Sequence, residues 1–508
     1  MFKFFKQKDK NVTRTEWIVL GIFFIAFFAV YLYSDICHTT SRGIVFWECL
    51  FSGRLNEFYA YLYPGVEGSM LPNGSYSGAY DALFYLIFAI WDFPLWCFEK
   101  ITGLSFLSVY GGRLYAKCIV LVFLGISAWL LKKIALLVTN NKVLSNWAVF
   151  LFISSALTVS AVVVQGGYDI ISVSFTLLGI YFYLKGEDWE FVLAFAMAAT
   201  CKMFSLFVFV PLLLLKHKKI SQVISRGLVG ISFIALPKLM TAMGNRLFAG
   251  LQARNMTEPA SMITYMQTDI LLASSDANAG ITTNSVIAHS NIVDKQMFAG
   301  NGAAISFGEL PLFFFMTFLF WWICWKKKEV TQYEVIYYCL ASMSIFALFV
   351  KQNPYWMILL VPYVVLIMIM NMDKLRDNII LDIIFSLGFV LWQAYERYWC
   401  YSYEMFSKMI GQDFGVIGNY EVCGFVKIID KLQNMIGISS AHLISLLVCS
   451  FALGLILFLY DNRPGIQKKQ SMDETGIRRL TWIRTIPALG VALLPLITAF
   501  LHLFREMI

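Results

Sequence analysis

Charge is scarce in this chain of 508 residues. Asp, Glu, Lys and Arg make up 14% of it, against about 25% in soluble domains. That shortage excludes a soluble enzyme, a nucleic-acid binder and a disordered scaffold. Metal-ligand spacing is missing too. The ten cysteines form no Cys-x-x-Cys pair and no Cys/His cluster, so neither a structural metal nor a thiol redox site is expected, and no cofactor. No internal repeat is visible, which argues against a transporter built from inverted repeats. No small-residue cleavage site follows the first apolar run, which therefore reads as an uncleaved signal anchor.

What the chain does have is apolar length. Hydrophobic residues make up 59% of it, and mean hydropathy is +0.68. Runs long enough to cross a hydrocarbon core of roughly 30 Å recur throughout. They lie near 16–34, 113–131, 147–164, 169–185, 189–201, 203–215, 222–243, 306–325, 332–350, 355–372, 379–396, 441–460 and 485–504. The expected fold is an all-α polytopic membrane protein with about 13 transmembrane helices.

Charge sets the orientation. If the N-terminal segment 1–15 is cytoplasmic and 82–98 does not span, more than half of the 40 Lys and Arg fall in short inner stretches. Lys132–Lys133, Lys216–Lys219 and Lys326–Lys328 are then all inside, as the positive-inside bias demands. The run 82–98, which carries Asp92 and Pro94, is therefore expected in the outer interface. Within the module 16–220, the outer loop 35–112 holds interfacial helices. One apolar face runs through Ile44, Trp47, Phe51, Leu55, Phe58 and Leu62. The segment 221–396 adds helices around a polar outer loop, 244–305. The segment 397–508 begins with an outer loop, to about 440, where Cys400 and Cys423 are both found, and ends in two helices.

Polar residues beside spanning segments are costly and point to function. Asp35 follows the first run, in Ser34-Asp35-Ile36-Cys37-His38. Gln165-Gly166-Gly167-Tyr168-Asp169 forms a short outer turn. Lys202 lies between two runs of 13 residues, each only about 20 Å as helix, so their joining turn should sit in an outward-facing hollow. Lys351-Gln352-Asn353-Pro354-Tyr355 is a further outer turn. Bland readings stand beside these: Asp169 as a helix N-cap, Lys202 as a snorkelling lysine, Asp35 and Lys351 as ordinary interfacial charges, and His38 as a surface residue.

The order of these segments resembles the GT-C class of integral membrane glycosyltransferases. That class includes polyprenyl-phosphate-mannose-dependent mannosyltransferases and lipid A aminoarabinose transferases. The resemblance rests on Tyr33-Ser34-Asp35, on Gln165 to Asp169, on Ala198-Ala199-Thr200-Cys201-Lys202 leading into Phe207 to Pro211, and on Lys351 to Tyr355 with Val361-Pro362. It covers 15–220 well and 305–370 loosely. It implies a multi-pass enzyme of the cell membrane whose site is extracytoplasmic. Its partners would be the bilayer, a polyprenyl-phosphate-linked sugar donor and a glycan or glycolipid acceptor. Asp35 would be the general base, and Lys202 with Lys351 or Gln352 would bind the donor phosphate. Gln165, Tyr168, Asp169, Tyr355 and His38 would contact substrate. The sequence departs from the class in having no Asp-x-Asp pair after the first run and no His in the 351–355 turn. The alternatives are a flippase or transporter for a lipid-linked glycan, a glycan polymerase or ligase, and a non-catalytic membrane scaffold.

Overall fold

A computed structural model describes residues 11–31, 34–55, 58, 80–247, 302–350, 353–396, 430–431, 433–465 and 475–507. Every regular element among them is helical. In chain order the long helices are α1 (Arg14–Val30), α2 (Ser34–Phe51), α3 (Ala82–Thr102), α4 (Tyr110–Thr139) and α5 (Lys142–Ile153). A short turn, Ala156–Thr158, and a π-helical turn, Val159–Val164, lead to α6 (Ile170–Lys185), α7 (Asp188–Cys201) and α8 (Leu206–Lys216). Then come α9 (Ile220–Leu247), α10 (Gly302–Lys326), α11 (Gln332–Phe349), a 3-10 turn over Pro354–Leu359, α12 (Val361–Met370), α13 (Leu375–Glu396), α14 (Ser440–Asp461) and α15 (Thr475–Met507).

Local chemistry explains several boundaries. Thr13 and Glu16 form a reciprocal capping box that starts α1, and Thr331 with Glu334 does the same for α11. Asn141 starts α5 by accepting from Val143 and Leu144 N–H. Gly103 and Gly186, both at positive φ, end α3 and α6.

Among the described residues each of the thirteen apolar runs falls mainly on helix, but the expected number of crossings needs correction. Among the described residues four helices are long and apolar enough to cross a membrane: Tyr110–Thr139, Gln332–Phe349, Met372–Glu396 and Ser440–Asp461. The number rises to six if two bent pairs, α1 with α2 and α5 with the segment to Val164, each count as one span. The other runs are cut short. α7 has 14 residues and α8 has 11, while a 3-10 turn separates the 10-residue α12 from α11. Apolar composition alone does not distinguish a lipid-facing run from one enclosed by protein, and Val361 to Ile369 is buried throughout. Several helices can thus span a membrane, as an all-α membrane protein requires.

The segment expected to form the first outer loop also differs from expectation. α2 begins at Ser34, so Asp35 stands in its first turn, and the helix stops at Phe51 instead of running on to Leu62. Ile44 and Phe58 are buried, whereas Phe51 and Leu55 are exposed; Leu62 lies outside the described residues. α3 packs along α2, and the contact is closest where a Cβ on Gly43 would meet Asp92 Oδ2 at 2.7 Å. Asp92 is fully buried at that crossing.

Candidate functional site

Three chain breaks converge on one group of charges. α1 ends at Val30 and α2 restarts four residues later with Asp35. The π-helical turn ends at Val164 and Asp169 immediately precedes α6. α7 ends at Cys201, and Lys202 takes an extended conformation before the turn Met203–Ser205. Helix ends leave side chains free to point away from a helix axis, which is how charges from three helices can meet.

Lys202 Nζ lies 3.1 Å from Asp169 Oδ1, with the two side chains 4% and 1% exposed. The bland readings of both residues therefore fail. Asp169 makes no side-chain cap to α6, and Lys202 does not reach solvent. The contact lacks the angle of a hydrogen bond, and both Asp169 oxygens are buried without one. Lys202 is also 3.4 Å from the Tyr80 hydroxyl, which meets the Tyr168 hydroxyl at 3.1 Å. The rings of Trp356, Phe204 and Tyr80 surround the ammonium, with centroids at 4.7, 5.4 and 5.5 Å. An aromatic box of this kind favours a cation.

Asp35 faces the same group. The charges of Lys202 and Arg42 act on its carboxylate, and Tyr168 and Tyr355 are within hydrogen-bonding reach of it. Arg42 is seven residues on from Asp35 in α2, hence on the same helical face, and is 4% exposed. Asn353 donates to the Tyr355 hydroxyl at 3.2 Å. Gln165 is buried; its amide reaches Ser160 Oγ at 3.5 Å and its Oε1 has no hydrogen bond. His38 is half-buried on α2, one turn beyond Asp35. Of the residues expected at the site, Asp35, Tyr168, Asp169, Lys202 and Tyr355 come together. Lys351 and Gln352 lie outside the described residues, as do Cys400 and Cys423. No three His, Cys, Asp or Glu side chains are grouped as a metal site among the described residues.

Two glycines let the backbones approach. Gly166 has φ +59, and a Cβ there would lie 3.1 Å from Lys117 Cε. On Gly167 a Cβ would meet Tyr355 Cβ at 2.8 Å and the Ala161 carbonyl at 2.9 Å, so the 165–169 turn seats directly against the 3-10 turn that carries Tyr355.

Sequence reasoning missed Tyr80, Arg42, Trp356 and Lys117. Lys117 is fully buried in α4 and donates to the carbonyls of Phe28 at 3.0 Å, Val163 at 2.6 Å and Tyr31. A lysine inside an apolar run was itself the signal. Arg42 would have been found by extending the helical face from Asp35. Tyr80 gave no signal, because it is one of several tyrosines in the stretch 59–80 and nothing in its sequence position sets it apart.

The group can bind an anion at Lys202, which is nearly shut off from bulk water, accept a proton at half-buried Asp35 and offer tyrosine hydroxyls to a polar substrate. No family model, curated protein or solved structure matches this chain.

Proposed function

We propose that this chain is a multi-pass membrane glycosyltransferase of the GT-C kind, acting at the extracytoplasmic face with its N-terminal segment in the cytoplasm. It moves a sugar from a polyprenyl-phosphate donor to a glycan or glycolipid acceptor. The observation that carries the reading is the meeting of half-buried Asp35 with the buried pair Asp169 and Lys202, one residue from each of three chain breaks. The positions of Tyr168 and Tyr355 beside Asp35 lend support.

The acceptor hydroxyl attacks the anomeric carbon and gives its proton to Asp35. The bond from that carbon to the donor's phosphate oxygen breaks, and its electron pair leaves on the lipid phosphate. A base within hydrogen-bond reach of the hydroxyl contributes about 10²–10⁴ in rate. The growing charge on the phosphate is stabilised by a fixed ammonium, most strongly where water is excluded. Lys202 is such an ammonium, and the donor phosphate competes with Asp169 for it. α3, with Pro94 at its middle and exposed Ile90, Phe93 and Ile101, suits the outer interface.

The test is transfer from polyprenyl-phosphate sugars by the purified protein in nanodiscs, compared with Asp35→Asn. The expected result is transfer that falls by about 10²–10⁴ in the variant while donor binding is kept. Undiminished transfer by Asp35→Asn would remove that carboxylate from the mechanism. Movement of intact donor across the bilayer without transfer would favour a flippase.

A further inference from the structure

At the end of the molecule opposite Lys202, two segments far apart in sequence are tied into one basic platform. α8 ends at Lys216 and α9 begins at Ile220, so Lys218 and Lys219 form the link between them. α10 ends at Lys326, and Lys327 and Lys328 follow. Lys218 Nζ donates to the carbonyls of Leu214 at 2.6 Å and Cys324 at 3.1 Å. In return, Trp325 Nε1 donates to the Lys218 carbonyl at 3.4 Å. The link and the helix end are therefore held at fixed positions.

Neighbouring cations already have carboxylate partners. Lys216, His217 and Arg226 gather around Asp188, and Lys327 pairs with Glu334 at 2.7 Å. Lys219, Lys326 and Lys328 are exposed, and none of them is ion-paired among the described residues. Glu329 is an exposed acid beside them.

Next to these cations the two helices that flank α8 are apolar outward. On α10, Phe315, Leu319 and Trp322 are 63%, 43% and 53% exposed and share a face. Lys326 closes that row, its ammonium 4.7 Å from the Trp322 ring centroid. On α9, Ile220, Ile224 and Leu228 form a second exposed row. An apolar row capped by an indole and an ammonium has the polarity of a phospholipid, with tail below and anionic head above. An acidic soluble protein would leave the rows uncovered, and a phosphate without a tail would not use them.

We infer that Lys219, Lys326 and Lys328, on the platform tied by Lys218, form a headgroup site for an anionic phospholipid whose acyl chains lie along the exposed rows of α9 and α10. This site is independent of the chemistry at Asp35 and Lys202.

The experiment titrates the purified full-length protein with phosphatidylglycerol and, separately, phosphatidylcholine, and counts retained lipids by native mass spectrometry. Each lysine beside a bound anionic headgroup is worth about fivefold in affinity for that lipid, and a lysine away from it little. The triple variant Lys219→Gln/Lys326→Gln/Lys328→Gln should therefore bind phosphatidylglycerol on the order of 100-fold more weakly, with phosphatidylcholine unchanged. A comparison pair, Lys132→Gln/Lys133→Gln on α4, removes cations that include one over another exposed indole, Lys133 at 5.5 Å from Trp129. It should leave phosphatidylglycerol retention near wild type. Equal loss in that pair would mean diffuse surface charge and overturn the site. So would wild-type retention by the triple variant, no preference for phosphatidylglycerol over phosphatidylcholine, or glycerol phosphate binding as tightly as the lipid.

Discussion

The Lys117 ammonium donates to the Val163 carbonyl at 2.6 Å, which ties the interior of α4 to the π-helical turn just ahead of Gln165. The same nitrogen holds the carbonyls of Phe28 and Tyr31 at the end of α1, where the chain turns toward Asp35. One side chain thus sets the separation of the two segments that bear the site's carboxylates. It touches neither carboxylate and acts by positioning.

Lys117→Met keeps most of the volume and leaves three carbonyls without their donor. An unsatisfied buried polar group costs about 1–3 kcal/mol, so the variant should melt at a clearly lower temperature and lose turnover as well. Lys117→Arg should not rescue it, because Gly166 packs on the Lys117 stem and leaves no room for a planar guanidinium. Differential scanning fluorimetry with a transfer assay reads both effects. Wild-type melting in the Met variant would show that the three carbonyls do not depend on this ammonium.

The Asp169–Lys202 pair makes a prediction about coupling. Removing one partner of a buried ion pair strands the other charge, at a cost of about 3–5 kcal/mol, whereas removing both is often close to neutral. Asp169→Asn and Lys202→Met should each lower the melting temperature, and the double variant should be more stable than the sum of the two losses. Turnover should stay low in all three, because the proposed phosphate contact at Lys202 is lost or its setting altered. Additive losses in melting would mean that the two side chains do not sense one another.

The sequence carried the helices and their polar ends well, since both are local properties. Thirteen apolar runs correspond to helices, and Asp35, Tyr168, Asp169, Lys202 and Tyr355 were all legible as polar residues at the breaks between runs. What it could not carry was which apolar surface meets lipid and which meets protein. Val361 to Ile369 has the composition of a crossing and is enclosed by other helices. The same limit hid the pairing of Asp169 with Lys202, a contact made by tertiary packing between two turns. It also left the aromatic box unread, because Tyr80, Phe204 and Trp356 come from three unrelated stretches of an aromatic-rich chain.

Gly167→Ala tests how closely the two turns must approach. The new Cβ would stand 2.8 Å from Tyr355 Cβ and 2.9 Å from the Ala161 carbonyl, and neither is the far end of a flexible side chain. Overpacking of this kind costs about 1–3 kcal/mol. The expected outcome is a modest drop in melting temperature with a larger fall in turnover, as Tyr355 moves away from Asp35. Gly111→Ala, where a Cβ meets nothing within 4 Å, is the matched comparison and should leave both unchanged. Equal behaviour of the two variants would argue against a tight seat at Gly167.

Asp188 gives the fold a defined acid limit. It opens α7 at the end opposite Lys202, with Arg226 Nε at 2.6 Å, His217 Nε2 at 2.9 Å and Lys216 Nζ at 3.2 Å. Burial alone would raise its pKa, but the hydrogen bonds from Arg226 and His217 and the nearby charge of Lys216 outweigh burial and lower it from 3.8 to about 2. A carboxylate whose pKa is depressed on folding stabilises the fold above its unfolded value and loses that stabilisation as pH falls through the folded value. Solvent screening at this half-buried position keeps the contribution to at most about 2 kcal/mol, fully present above roughly pH 5 and lost between about pH 4 and pH 2. Asp188→Asn should therefore melt below wild type at neutral pH and converge with it near pH 2. A gap between the two melting curves that stayed constant from neutral to acid pH would show that the cations around Asp188 do not hold its charge.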